Sequence, residues 1–199
     1  MARPIANRPP RSLRDQPHFG FLAEARNVFD IVLIDCPPGL SVLTESWLRE
    51  ADFHISPTKP DYISACGLEV FRRFKTLNPE MGFARNLGVV VNMKDTMSAA
   101  DADYHAWLAG NPANNCFMNV IPRANALQDA SRFVADGRSY FAKYPGATGA
   151  AIKSLTEEFL ARIASENALT QATSASARTT PPALPVQGST EPPPLTTTG

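Results

Sequence analysis

Four short apolar runs, separated by segments of helical period, constrain the fold of this 199-residue chain most strongly. Each run has the length of a strand, and most of the spacers are long enough for a helix of about ten residues or more. Strands that alternate with such helices form right-handed βαβ units and a parallel sheet with helices on both faces. The sequence therefore predicts an α/β fold. The predicted strands are residues 31–34, 53–56, 87–92 and 117–121, and the predicted helices include 41–50, 99–108, 126–134 and 147–163.

Composition narrows the class of protein. The 19 basic and 19 acidic residues balance, so the chain is not expected to act mainly as a strongly basic, nucleic-acid-binding segment. Cys36, Cys66 and Cys116 form no CxxC pair, which argues against a zinc site and fits a reducing compartment. No apolar run approaches the roughly 18 residues of a membrane span. We therefore expect a soluble, cytoplasmic protein.

The two ends of the chain differ from its middle. Residues 1–20 carry four arginines among prolines, and residues 167–199 carry six prolines among Ser, Thr and Ala. Neither composition buries enough apolar surface to offset chain entropy. We expect a disordered arm over 1–20, one α/β domain over 21–166, and a disordered tail over 167–199.

An acid follows the first apolar run. In an α/β sheet, function lies at the carboxyl ends of the strands, and Asp35 ends the run 31–34. A carboxylate there is costly unless it is paired, hydrogen-bonded or facing a cation such as Mg²⁺. Capping of the following turn by Asp35 explains the residue equally well. The prolines at 37 and 38 stiffen the next loop, and Gly39 permits close backbone approach, as a phosphate-facing loop requires.

The motifs that follow the apolar runs resemble one family. In order they are FDIVLIDCPPGL at 29–40, AD at 51–52, SPTKP at 56–60, GL at 67–68, LNP at 77–79, LGVVVN at 87–92 and VIPR at 120–123. Together they resemble the ParA/MinD family of deviant Walker P-loop ATPases, and within it the chromosome- and plasmid-partitioning ParA branch. The resemblance covers residues 22–163 and implies a P-loop NTPase, Rossmann-like fold with ATP and Mg²⁺ as cofactors.

The resemblance implies a role for each matching residue. Asp35 corresponds to the Walker-B-type acid that holds Mg²⁺ through a water, and Pro38 and Gly39 to the switch segment that senses the γ-phosphate. Asn92 corresponds to the residue that borders the adenine, and Pro122 and Arg123 to the pair whose loop packs against the base. Taken without the family, Asn92 and Pro122 are better explained as turn residues at strand ends.

The family's P-loop has no counterpart in this chain. Before Asp35 there is one glycine, Gly20, and no lysine precedes Lys59. A P-loop supplies the N–H cradle and the lysines that bind the β- and γ-phosphates. We therefore expect this chain alone to be inactive as an ATPase, with run 31–34 left without its neighbouring P-loop strand. A truncated ParA-like ATPase and a non-catalytic module that docks on an intact ParA-like ATPase both explain the absence.

The resemblance also implies partners: a homodimer or a ParA-like partner, a partner protein that stimulates the ATPase, and non-specific DNA. The candidate phosphate contacts are Arg132, Arg138, Lys143, Lys153 and Arg162. Acids are interspersed among them, so a mixed solvated face is the stronger interpretation. Residues 167–199 contain no lysine, which disfavours a MinD-type membrane anchor. The expected location is the cytoplasm, with nucleoid association if DNA is bound.

Overall fold

The computed structural model describes residues 17–37, 39–130 and 139–178. The chain divides after Arg162 into two compact units, residues 1–162 and 163–199. Two strands are present in the described part, β1 (Phe53–Thr58) and β2 (Arg85–Val91). The helices are α1 (Pro17–Val28), α2 (Val42–Glu50), α3 (Tyr62–Leu77), α4 (Ala99–Gly110), α5 (Asn125–Ala130), α6 (Tyr140–Lys143) and α7 (Gly146–Arg178), with short 3-10 turns at Pro79–Met81 and Pro112–Asn114.

The two strands form a parallel sheet. Phe53 pairs with Arg85 and Thr58 with Val91, with one register shift after His54. Helix α3 connects the strands, which makes the βαβ unit that the alternating pattern predicts. Strand β2 is the apolar centre of the first unit, since residues 87–91 form one apolar run whose side chains are buried. A parallel sheet flanked by helices confirms the predicted α/β class.

Polar caps determine where three helices begin. Ser41 accepts a hydrogen bond from the Thr44 N–H at 3.1 Å at the start of α2. The Asp61 carboxylate accepts from the Ser64 N–H at 2.8 Å at the start of α3, and Ser98 caps α4 in the same way. Each cap satisfies an N–H that has no partner within its own helix. The predicted helices 41–50 and 99–108 are confirmed.

The predicted fourth strand, 117–121, follows β2 without becoming a strand. The N–H groups of Phe117 and Ile121 donate to the Val89 and Val91 carbonyl oxygens, each at 2.9 Å. Between them, the N–H groups of Met118 and Asn119 donate to a side-chain carboxylate instead. The strand prediction is therefore wrong in detail, because this carboxylate interrupts the ladder. The segment nevertheless lies beside β2, through the bonds of Phe117 and Ile121.

The predicted first strand, 31–34, is also wrong. Residues 31–37 have no regular secondary structure, and among the described residues their backbone makes no hydrogen bond. Leu33 is 75% exposed and Ile31 is 42% exposed. A strand needs a neighbour that completes its hydrogen bonds, and among the described residues no segment pairs with this one in that way.

Helices reach into both predicted terminal segments. Helix α1 begins at Pro17, inside the predicted arm 1–20, and residues 1–16 lie outside the described residues. Helix α7 continues through residue 167 to Arg178, so residues 167–178 of the predicted tail are helical. Those residues contain alanines and neither glycine nor proline, which is compatible with a helix. The proline-rich remainder, 179–199, lies outside the described residues.

Candidate functional site

The carboxyl ends of β1 and β2 form the candidate site. The Asn92 N–H donates to the Thr58 carbonyl oxygen at 2.9 Å, which joins the two strand ends. The Lys94 N–H donates to Ile121 at 3.1 Å, and the Arg123 N–H donates back to Lys94 at 2.8 Å. These bonds place Asn92 in the same strand-end loops as Pro122 and Arg123. Three of the six predicted site residues are thus brought together.

Asn92 has a defined side-chain orientation. Its Oδ1 accepts a hydrogen bond from the Met93 N–H at 2.9 Å, and Met93 adopts the left-handed conformation with φ 56°. A non-glycine residue in that region carries backbone strain, which the carboxamide offsets in part. The turn interpretation of Asn92 is therefore correct. The side-chain NH₂ group is the donor left for a ligand.

Lys94 was not predicted as a site residue. Its Nζ lies 2.7 Å from Nδ1 of His105 on helix α4, as donor to the ring nitrogen. Burial and the nearby Lys94 charge lower the pKa of His105, so the ring stays neutral and accepts. In the sequence, the only indication that Lys94 belongs to the site was its position two residues beyond Asn92. This pair fixes a positive charge beside the Pro122 loop.

A capping network orders the loop between β2 and α4. The Asp101 carboxylate accepts from the Asp95 N–H at 2.8 Å and from the Ser98 hydroxyl at 2.9 Å. The same two bonds lower the pKa of Asp101. Because both carboxylate oxygens are used, Asp101 has a structural role in holding this loop against the helix.

The predicted metal-side residues lie elsewhere. Asp35 is exposed on the irregular segment 31–37, and Gly39 is exposed with φ 92°. Pro38 lies outside the described residues. Burial, and next the Asp35 charge, raise the pKa of the adjacent Cys36 thiol. No hydrogen bond or ion pair among the described residues joins this segment to Asn92 or to the Pro122 loop.

The residues present would suit the base of a magnesium nucleotide but not its phosphates. The loops that carry Asn92, Pro122 and Arg123 offer an oriented amide, a proline and an arginine, and such groups would suit a planar, hydrogen-bonding base. The phosphate side offers one exposed carboxylate, and the sequence has no P-loop to cradle phosphates. Within the described residues, no group of three His, Cys, Asp or Glu side chains could hold a metal ion. No catalytic step through Mg²⁺ follows from this chain alone.

A partly buried ion pair on α7 supports the segment that leads into the site. The Glu158 carboxylate accepts from the Met118 and Asn119 N–H groups at 2.9 and 3.0 Å. It also pairs with Arg162 at 2.8 Å, and these hydrogen bonds outweigh its desolvation, so the pKa of Glu158 is lowered. Glu158 is one of the acids interspersed in the predicted solvated face. Its spacing of four residues from Arg162 on a helix was the available signal.

Arg162 is fully engaged within the fold. Its guanidinium donates to the carbonyl oxygens of Leu87, Asn115 and Cys116 at 3.0, 2.6 and 2.7 Å, and stacks on the Phe117 ring at 3.9 Å. A Cβ atom at residue 88 would collide with Asn115 and this guanidinium, so the approach requires Gly88. Arg162 was one candidate phosphate contact, and its guanidinium donors are taken up by the Glu158 carboxylate and by backbone carbonyls.

The structure describes only some of the other candidate DNA contacts. Lys153 is exposed and lies 3.9 Å from Glu157, as the mixed-face interpretation predicts. Arg132 and Arg138 lie outside the described residues. In the described ranges, no helix is long and apolar enough to cross a membrane.

Comparison with known proteins identifies the family. A sequence model described as an AAA domain matches residues 17–82. The chromosome-partitioning ATPase Soj of Thermus thermophilus is 32% identical over 141 residues, covering 68% of this chain and 54% of that protein. Soj of Treponema pallidum is 28% identical over 143 residues, covering 71% and 56%. The chain belongs to the ParA/MinD family of P-loop ATPases.

The matches to known proteins cover only part of those proteins and only some of the predicted site residues. The chromosome partitioning protein ParA of Caulobacter vibrioides is 28% identical over 114 residues, covering 55% of this chain and 42% of that protein. The chain thus spans about half the length of the curated relatives that it matches. The AAA-domain match contains Asp35 and Gly39, whereas Asn92, Pro122 and Arg123 lie beyond it.

Proposed function

We propose that this chain is a ParA-like partitioning component that binds the adenine base of a nucleotide and does not hydrolyse ATP by itself. In this proposal Asn92, Pro122 and Arg123 contact the base at the ends of β1 and β2. The proposal rests chiefly on two sets of hydrogen bonds: the bond from Asn92 to Thr58 at the strand ends, and the bonds that join Lys94 to Ile121 and Arg123 two residues further on. It gains support from relatives that are named chromosome-partitioning ATPases.

Hydrolysis needs a phosphate site that this chain lacks. Asp35, Pro38 and Gly39 are proposed to face Mg²⁺ and the γ-phosphate only when a P-loop is supplied beside them. Phosphoryl transfer depends almost wholly on positioning and charge stabilisation around the phosphates. Without those groups, the residues that remain select a base and leave the triphosphate in water.

Nucleotide titration tests the proposal. We expect adenosine and ATP to bind this chain with affinities within about threefold of each other, because the phosphates gain no contact. Chelation of Mg²⁺ leaves the affinity unchanged. Asn92→Ala and Arg123→Ala weaken adenosine binding, whereas Asp35→Ala does not. The measurement is calorimetry of the purified chain, with guanosine as the ligand control.

Two outcomes contradict the proposal. Tight, Mg²⁺-dependent ATP binding that is lost in Asp35→Ala would demonstrate a working phosphate site. Equal binding of adenosine by the wild type and the Asn92→Ala, Arg123→Ala double variant would remove the base site. Circular dichroism of each variant establishes that the fold is retained.

The wider partitioning cycle belongs to the same proposal. It comprises ATP-driven pairing with a second ParA-like chain, non-specific binding to DNA, and a partner protein that stimulates hydrolysis. A complete P-loop is needed for each step. This chain therefore takes part only with the P-loop of another segment or chain.

A second candidate function is a non-catalytic module that docks on an intact ParA-like ATPase. The exposed apolar segment before Asp35 favours it, since Ile31 is 42% and Leu33 75% exposed. A backbone whose groups make no hydrogen bond among the described residues is suited to pairing with a strand of another chain. In that case the base site would act in regulation.

A further inference from the structure

Helices α3 and α4 enclose an apolar surface groove of about 560 Å³. Four of its lining residues recur at spacings of three and four along α3, so they share one face of that helix. Three more come from the facing side of α4. The lining residues are Tyr62, Ala65, Cys66, Glu69, Asp103, Tyr104 and Trp107.

The walls of the groove are aromatic and accessible. Tyr62 is 67% exposed and Trp107 is 54% exposed. Cys66 lies one helical turn from Tyr62 and raises the pKa of the Tyr62 hydroxyl, and Tyr104 on the facing helix acts in the same direction. Large aromatic side chains left open to water on a helix pair commonly mark an interaction surface.

The charges of the groove are acidic. Glu69 and Asp103 line it from opposite helices, and no basic residue lines it. Arg72 lies 3.2 Å from Glu69 on the outer turn of α3 and neutralises only that acid. Aromatic faces and carboxylates both attract cations, the first through the ring quadrupole and the second by charge.

We propose that this groove binds a segment of a partner protein in which arginine or lysine stands beside a bulky apolar residue. The apolar residue fills the space between Tyr62 and Trp107. The cation stacks on an aromatic ring and pairs with Asp103. This surface does not depend on nucleotide binding, so it goes beyond the proposed function.

Protection of Cys66 from alkylation tests the proposal. The probe is the synthetic peptide acetyl-LRRLLR-amide, and the reference is acetyl-LEELLE-amide. We expect the basic peptide to slow iodoacetamide modification of Cys66 by about tenfold at saturation, without slowing modification of Cys36. The acidic peptide leaves both rates unchanged. Mass spectrometry of the proteolysed chain reads each thiol separately.

Charge reversal supplies the matched variants. Asp103→Lys should weaken protection by about tenfold, whereas Glu80→Lys, the same change on the Pro79–Met81 turn, should not. Trp107→Leu keeps the charge and removes the aromatic face, so it should weaken protection as well. If Asp103→Lys fails to fold by circular dichroism, Trp107→Leu decides the outcome.

Three results overturn the proposal. The first is equal protection by the acidic peptide, which would show an apolar site without charge selection. The second is unchanged protection in both Asp103→Lys and Trp107→Leu. The third is protection that rises with protein concentration in the absence of peptide, which would assign the groove to a second copy of this chain.

Discussion

Single side chains in this protein take roles that their residue types do not indicate. His54 is packed edge-on against Phe71 at 5.3 Å between ring centres, and its Nδ1 donates to the Ala84 carbonyl oxygen at 3.0 Å. Burial, and next the Lys75 charge, lower the pKa of His54 to about 4. The histidine is therefore a partly buried residue that stays neutral near pH 7.

Stability should fall as the pH is lowered through the histidine range. The unfolded His54 has a pKa near 6.5 and binds a proton before the folded one does, so acid favours unfolding. We expect the free energy of unfolding to decrease by about 2 kcal/mol from pH 7 to pH 5, measured by urea denaturation. This decrease should be smaller in His54→Gln. The part of the decrease that comes from His105 should be absent in His105→Gln. An unchanged pH slope in His54→Gln would contradict the assignment.

At the scale of elements, the fold depends on side-chain contacts between α7 and the segment that lies beside β2 and includes residues 115–121. Glu158 occupies the N–H groups of Met118 and Asn119, while Arg162 occupies three carbonyl oxygens around Asn115. Backbone groups that would otherwise need a strand neighbour are thus satisfied by two side chains of one helix. This replacement explains why the segment 117–121 follows β2 without forming a ladder.

Removal of this ion pair should cost much more than removal of a surface pair. We expect Arg162→Ala to lower the free energy of unfolding by about 3 kcal/mol, since Glu158 and three carbonyls lose their partner. Arg162→Lys should retain only part of this stability, because an ammonium group lacks the planar guanidinium fork that donates to several oxygens at once. The exposed Lys153–Glu157 pair supplies the control: Lys153→Ala should change stability by about 0.5 kcal/mol or less. Equal losses in the two alanine variants would show that Arg162 contributes only as a surface residue.

At the scale of the whole molecule, apolar surface is unevenly covered. Strand β2 is enclosed, whereas the segment that carries Ile31 and Leu33 is exposed although its composition is that of an interior strand. Such a segment lowers its free energy by contact with another chain. Its exposure therefore makes association the expected behaviour of this chain in isolation.

Association should be sensitive to one charge in that segment. We expect Leu33→Lys to shift the wild-type distribution from self-associated species towards monomer, because an ammonium opposes burial between chains. Leu77→Lys, a similarly exposed leucine at the end of α3, should leave the distribution unchanged. Sedimentation velocity over a hundredfold concentration range provides the measurement. A monomeric wild type, or an equal effect of both substitutions, would contradict the expectation.

The sequence by itself determined the α/β class and the family, because these follow from local patterns and collinear motifs. It also predicted the position of Asn92, Pro122 and Arg123 at strand ends. Only the tertiary structure decided that segments 31–34 and 117–121 are not strands, since strand formation requires partners that local composition does not encode. The contacts of Arg162 and the Lys94–His105 pair likewise join residues distant in sequence, which no periodicity along the chain records.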